Sequence, residues 1–292
     1  MLHSPTIQSL NARFTKGITV DVLRLDLIHP IISGNKWYKL RYYLKEAKLQ
    51  GFQEIASFGG AYSNHLVALA YACKLNGYKS IGFIRGEKGH FPSPTLLAAE
   101  NFGMELHYLS RSDYQQKALI QNNYHQPNRY WIAEGGYGQL GALGAASLLE
   151  GIPNLQYSHI VASVGSGTMT AGLLIAATPA QKIIGISSQK NNPTLANAVT
   201  DLVPTNKQQQ FRLIEGYHFG GFAKHPPELI HFMQHFWATE RIPTDIVYTG
   251  KLFYALEDLI KNGFFEDNSK VLVIHSGGLQ GNLSLKTGVL PY

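Results

Sequence analysis

The chain has 292 residues, 45% of them hydrophobic and 15% charged, which is enough to bury a sizeable core in two domains. Its formal net charge is +6, yet the 25 lysines and arginines are scattered without a basic block, which argues against nucleic-acid binding. One cysteine, Cys73, excludes an intramolecular disulfide; the first residues lack the order of a signal peptide, and no apolar run approaches ~18 residues, so a cytoplasmic protein without membrane contact is expected.

In chain order, apolar runs at 18–27, 54–58, 80–85, 105–108, 130–133, 159–164, 183–187 and 271–275 read as strands. Helical patterns begin near Lys36, Ser63, Pro94, Leu140, Thr168, Pro226 and Gly250. Continuous apolar strands alternating with helices predict an α/β fold of mostly parallel, doubly covered sheets. The stretch 191–210 is polar and irregular and reads as a surface excursion. No linker rich in Pro, Ser or charge divides the chain, which suits a small domain inserted within a larger one.

The first chemical signal is Ser33-Gly34-Asn35-Lys36-Trp37-Tyr38-Lys39-Leu40-Arg41, after the 18–27 run. With Asn35 as N-cap, Lys36 opens a helix on which Leu40, Tyr43 and Ala47 lie within about 40° of it, while Lys39, Lys45 and Lys48 point elsewhere. Burial and the positive end of the helix dipole both disfavour an ammonium there, and a readily neutral lysine suits condensation with an aldehyde. A lysine snorkelling at the helix edge is the plain alternative.

Phe58-Gly59-Gly60-Ala61-Tyr62-Ser63-Asn64-His65 joins a strand to a helix and exposes Ser63 and backbone amides at a sheet's carboxyl edge, where ligands collect. A simple capping serine gives the same pattern, and a Ser-His-Asp hydrolase lacks its G-x-S-x-G elbow. Val164-Gly165-Ser166-Gly167-Thr168-Met169-Thr170 offers amides, hydroxyls and a helix N-terminus to a phosphate. It is no Walker loop, because Gly-Lys-Ser/Thr is absent. A dinucleotide fingerprint fails too, with Thr170 at the third glycine and Ser187-Ser188-Gln189 where an acid belongs. His275-Ser276-Gly277-Gly278 and Tyr248-Thr249-Gly250-Lys251 are further turns between strand-like and helical segments. His231 and His235 could share a helix face, but without an H-E-x-x-H carboxylate they read as surface residues and no metal is expected.

Taken in order, SGNKWYKLR, FGGAYSNH, AEGGYGQLGALG, VGSGTMTAG, FGGFAKHPPEL, YTGKLFYAL and VIHSGGLQG resemble the D-cysteine desulfhydrase and 1-aminocyclopropane-1-carboxylate deaminase family. That family belongs to the tryptophan-synthase-β-like pyridoxal-phosphate enzymes of fold type II. The resemblance spans Ser33 to Gly281. It implies two open, mostly parallel twisted sheets, with residues 1–40 and 136–292 forming a large cofactor-binding domain and 41–135 a smaller inserted one. It also implies a homodimer and a small amino-acid substrate.

Residue by residue, the resemblance makes Lys36 the Schiff-base lysine of pyridoxal 5'-phosphate and puts Asn64 on the phenolic oxygen. The phosphate would fall to Gly165, Ser166, Gly167 and Thr168. Ser276 and Thr249 would lie by the ring. Ser63 and Tyr248 would be catalytic, with Tyr62, Ser63, Asn64, His65, Phe222 and Tyr248 around the substrate. Three positions depart from the family pattern: Thr249 where deaminases carry Glu, Tyr62 in place of Gln, and Phe222 in place of Tyr. A carboxylate beside the pyridine nitrogen strengthens the electron sink. Thr249 therefore favours β-elimination giving pyruvate, ammonia and sulfide. Ring-opening deamination to α-ketobutyrate, β-replacement, and a cofactor-binding role without turnover are the alternatives.

Overall fold

The computed structural model describes residues 3–11 and 14–292. Its strands are β1 (Thr6–Ser9), β2 (Thr19–Arg24), β3 (Glu54–Gly59), β4 (Lys79–Arg85), β5 (Met104–Leu109), β6 (Arg129–Trp131), β7 (His159–Val164), β8 (Lys182–Ser187), β9 (Phe211–Ile214) and β10 (Lys270–His275). The α-helices are α1 (Asn35–Leu49), α2 (Asn64–Asn76), α3 (Pro94–Asn101), α4 (Arg111–Gln115), α5 (Lys117–Asn123), α6 (Gln139–Ala146), α7 (Thr168–Ala176), α8 (Leu195–Thr200), α9 (Thr205–Gln208), α10 (Pro227–Glu240) and α11 (Thr249–Lys261).

Two sheets result. One runs β1-β2-β10-β7-β8-β9, all parallel except the β1–β2 pair; the other runs β5-β4-β3-β6 and is wholly parallel. The central strand β7 is buried at every residue, because helices cover both faces of its sheet. Ala142, Ala145, Leu173 and Leu174 pack on one face with Ile160 and Ala162, and Phe236, Leu252, Phe253 and Leu256 pack on the other with Val161 and Val273. On the smaller sheet, Leu40, Leu44, Leu66 and Leu69 lie over Ile55 and Ile84, while Phe58, Phe83 and Trp131 stack beneath.

Several segments differ from expectation, the short helices α4 and α5 among them. The 18–27 run leaves the sheet after Arg24 and turns through a 3-10 segment, Leu25–Leu27. Edge strands β1 and β9 are absent from the sequence reading, since each has only four residues. The polar 191–210 stretch folds into α8 and α9, where Leu195 and Val199 are buried against the α7 side of the core.

Because the strands are parallel, β3, β4, β7, β8, β9 and β10 all release their chains at a carboxyl edge. Hydrogen bonds join the two edges. Asn64 Nδ2, after β3, donates to the Gly278 carbonyl after β10 at 3.1 Å, and the Gly278 amide donates to Ser33 Oγ at 3.2 Å.

Candidate active site

Helix α1 begins against the loop after β10. Gly34 caps it at φ 76°, and a Cβ there would lie 1.8 Å from the Ser276 carbonyl oxygen, so only glycine allows the approach. The Asn35 amide donates to that carbonyl at 3.0 Å. Asn35 is therefore the first helical residue and not the cap, one position earlier than expected. Its side chain donates to Met169 Sδ at 3.2 Å and accepts from Lys36 Nζ at 2.7 Å.

Burial pushes the Lys36 ammonium down to about 8, with the Asp245 charge opposing the shift. A sizeable neutral fraction at physiological pH follows, as condensation with an aldehyde requires. Lys39 corrects the helix-face reading. It is 4% exposed, and its amine donates to the Gly135 carbonyl at 3.3 Å and to Ser166 Oγ at 3.4 Å. Three helical steps leave it only about 60° from Lys36, so both lysines share the inward face. Burial first, then the Lys36 charge, pushes Lys39 well below the usual lysine range.

The loop after β7 meets Lys39 from the other sheet. Ser166 Oγ and Thr168 Oγ1 lie 3.0 Å apart, and Gly167 caps α7 at φ 82°. A buried amine, two hydroxyls and a helix N-terminus converge there, which fits a phosphate ester, whose charge would favour protonation of the amine. Asn64 provides a second point of fit. Its Oδ1 is buried without a hydrogen-bond partner, while its Nδ2 spends one hydrogen on Gly278. A bound polar ring substituent would satisfy that side chain.

Ser63 caps α2, its Oγ accepting from the Leu66 amide at 3.2 Å, and it stays half-buried at the turn. Tyr62 beside it is 39% exposed. His65 lies deeper, at 2% exposure. Ser57 Oγ donates to the Ile132 carbonyl at 2.8 Å, so His65 Nε2, also 2.8 Å from that oxygen, supplies the proton between them. Nδ1 is left bare and unpartnered. Burial, then the charges of Lys36 and Lys39, pushes this imidazole down to about 3, so it is neutral.

Tyr248 lies against the loop after β7, its Cε1 3.0 Å from where a Gly165 Cβ would be. Burial pushes its phenol up, with Asp245 and Glu134 adding to the shift. Asp245, absent from the sequence reading, organises this turn. Its carboxylate accepts from the amides of Val247, Tyr248 and Thr249 at 2.9, 3.1 and 2.8 Å, and from Thr249 Oγ1 at 2.8 Å. Thr249 Oγ1 in turn accepts the Asp245 amide at 2.7 Å. Thr249, which the resemblance puts by the ring, has its hydroxyl committed to Asp245. Ser276 is 7% exposed, and its carbonyl seats α1.

Lys251 was also missed. It is fully buried, and its amine donates to the carbonyls of His218 at 3.0 Å and Gly221 at 2.8 Å. It thereby pins the turn that carries Phe222, whose ring meets Tyr248 edge-on at 5.8 Å. Among the described residues, no group of His, Cys, Asp and Glu is arranged to hold a metal ion, and no helix is long and apolar enough to cross a membrane.

Residues 10–277 match the family model described as pyridoxal-phosphate dependent enzyme. The chain belongs to that family. It is 30% identical over 287 residues to a Pyrococcus abyssi protein provisionally named 1-aminocyclopropane-1-carboxylate deaminase, covering 91% of this chain and 86% of the relative. It is 24% identical over 281 residues to a Bradyrhizobium protein named 1-aminocyclopropane-1-carboxylate deaminase, covering 85% and 82%. Among solved structures, an ACC deaminase homologue superposes with a TM-score of 0.82 at 26% identity, over 96% of this chain and 91% of that one. A hydrogen sulfide-producing enzyme from Fusobacterium nucleatum shares the fold, with a TM-score of 0.69 at 14% identity over 97% of each chain. The architecture is that of fold type II, and the chain is a pyridoxal-phosphate-dependent enzyme of the lyase and deaminase kind.

Proposed function

We propose that this enzyme releases ammonia and a 2-oxo acid from a small amino acid, with Lys36 as the amine that binds the cofactor's aldehyde. The observation that carries this reading is Lys36 in the first turn of α1, its amine on Asn35 Oδ1 and held down to about 8, in a site that also has the unsatisfied Asn64 Oδ1 and the Lys39–Ser166 pair. In it, the phosphate rests on the 165–168 loop and Lys39, and Asn64 meets the phenolic oxygen. Ser63 and nearby amides orient the substrate carboxylate. The cofactor supplies an electron sink for the bonds at Cα. For a substrate with a hydrogen on Cα, Lys36 would take that proton; 1-aminocyclopropane-1-carboxylate has none there, and Lys36 would instead move a proton at its ring methylene carbons.

The names of the relatives support 1-aminocyclopropane-1-carboxylate as the first substrate, giving α-ketobutyrate. A second reading, β-elimination from cysteine or a relative of it, is favoured by Thr249. No carboxylate replaces it at that position, and its hydroxyl is engaged with Asp245. Elimination asks less of the sink, because the α-proton leaves first and thiolate is a good leaving group.

Purified holoenzyme offered the cyclopropane amino acid, D- and L-cysteine and D- and L-β-chloroalanine separates the two by α-ketobutyrate against pyruvate release. Lys36→Ala should abolish turnover and the pyridoxyl adduct left by borohydride. Turnover retained in that variant would refute the assignment.

A further inference from the structure

Among the described residues, the aromatic side chains that stand largely in solvent are Tyr62, Phe91 and Phe222, at 39%, 92% and 49% exposure. A folded chain exposes many single apolar residues, so the number is unremarked; their position is not. Each sits on a loop leaving the carboxyl end of a strand: β3 for Tyr62, β4 for Phe91, β9 for Phe222. That edge is where the lysine, the phosphate-side loop and the Asn64 turn converge. The exposed leucines show no such bias; Leu49 and Leu75, for example, lie in or beside the final turns of α1 and α2.

The loops that carry these rings are tied down. Ser93 Oγ donates to the Ala61 carbonyl, tying the Phe91 loop to the Tyr62 turn. The buried Lys251 amine anchors the Phe222 turn through His218 and Gly221, and Phe222 leans on Tyr248. Among the described residues, none of the three side chains makes a hydrogen bond, so what they offer a ligand is aromatic surface. Apolar faces around a polar centre discriminate by the size and polarity of a substituent.

We infer that Tyr62, Phe91 and Phe222 form an aromatic rim that receives the β-substituent of the substrate, and that this substituent is a bulky, apolar thioether group. The inference rests on the elimination reading and names its substrate class: S-aryl or S-arylalkyl cysteines in place of free cysteine. Lys36 takes the α-proton, and the electron pair it leaves forms the Cα–Cβ double bond. The Cβ–S bond breaks, and its pair departs with the thiolate, which takes a proton from water. Hydrolysis of the resulting enamine gives pyruvate and ammonium, without oxidant or reductant.

The test uses holoenzyme and both enantiomers of each compound. α-Methyl-S-benzylcysteine and α-methyl-S-methylcysteine lack an α-proton, so titration calorimetry reads their binding without turnover. The benzyl compound should bind about tenfold or more tightly. Phe91→Ser, at a residue with almost no contacts to lose, and Phe222→Ala should each shrink that ratio about threefold or more. The kcat/KM ratio of S-benzylcysteine to S-methylcysteine should fall in parallel. β-Chloroalanine, whose leaving group needs no aromatic contact, separates the two levels. Pyruvate from it with no benzyl preference overturns the rim while elimination stands. No pyruvate from it or from any cysteine derivative overturns elimination itself.

Discussion

Asp245 and Thr249 are bonded to each other three times: the carboxylate takes the threonine amide and hydroxyl, both at 2.8 Å, and the hydroxyl takes the aspartate amide at 2.7 Å. The closed ring of bonds fixes the turn that presents Tyr248. It also buries a carboxylate whose charge opposes the depression of Lys36.

Asp245→Asn should therefore have two effects. The amide keeps one acceptor oxygen but loses the charge that strengthened four hydrogen bonds, at a cost of about 2–3 kcal/mol in urea denaturation. The Lys36 titration should move below about 8, readable by NMR of the reductively methylated amine in cofactor-free protein. An unmoved lysine would show that the aspartate does not act on it.

Lys36 should itself destabilise the cofactor-free protein at neutral pH. Its folded pKa of about 8 lies below the ordinary 10.5, so folding expels a proton over that window. The penalty is complete below about 8 and vanishes as pH rises toward 10.5. Lys36→Met should consequently stabilise the cofactor-free chain at pH 7 by up to about 3 kcal/mol, with the gain fading by pH 10.5. Paired denaturation curves at the two pH values measure it.

Lys39→Gln should weaken binding of pyridoxal phosphate by about tenfold to a hundredfold, the worth of one charge-assisted hydrogen bond. Pyridoxal, which lacks the phosphate, should lose less than about threefold. Equal losses for both ligands would remove Lys39 from the phosphate.

Gly34→Ala should be among the most damaging single-methyl additions in the chain. A positive φ and a 1.8 Å collision with the Ser276 carbonyl act together, and about 3 kcal/mol or more of stability should be lost. The same variant should accumulate little borohydride-trapped pyridoxyl adduct, because α1 can no longer seat.

Much of this was legible before the structure. β7, β8 and β10 are continuous apolar runs, and only burial on both faces produces that pattern. The Lys36 amine and the 165–168 loop also lie where helix phase and glycine spacing put them. Lys39 escaped because a lysine counts as polar in any hydrophobic pattern, whereas its burial is supported by polar partners from Gly135 and Ser166, distant in the chain. Asp245 could have been found: an acid shortly before a helical run is a capping signal. Lys251 left no such trace, because its partners are backbone carbonyls on a turn some thirty residues earlier. The edge strands β1 and β9 are too short to carry a period of their own.

The contact between Asn35 and Ser276 has a temporal consequence. Lys36 stands near the start of the chain, but the carbonyl that seats its helix, on Ser276 just after β10, arrives 240 positions later. During synthesis, the amine emerges early and waits for nearly the whole polypeptide before its surroundings are complete. Ribosome-bound chains lacking β10 should thus expose an ordinary, fully charged lysine, and vitamin capture should be among the last events of maturation.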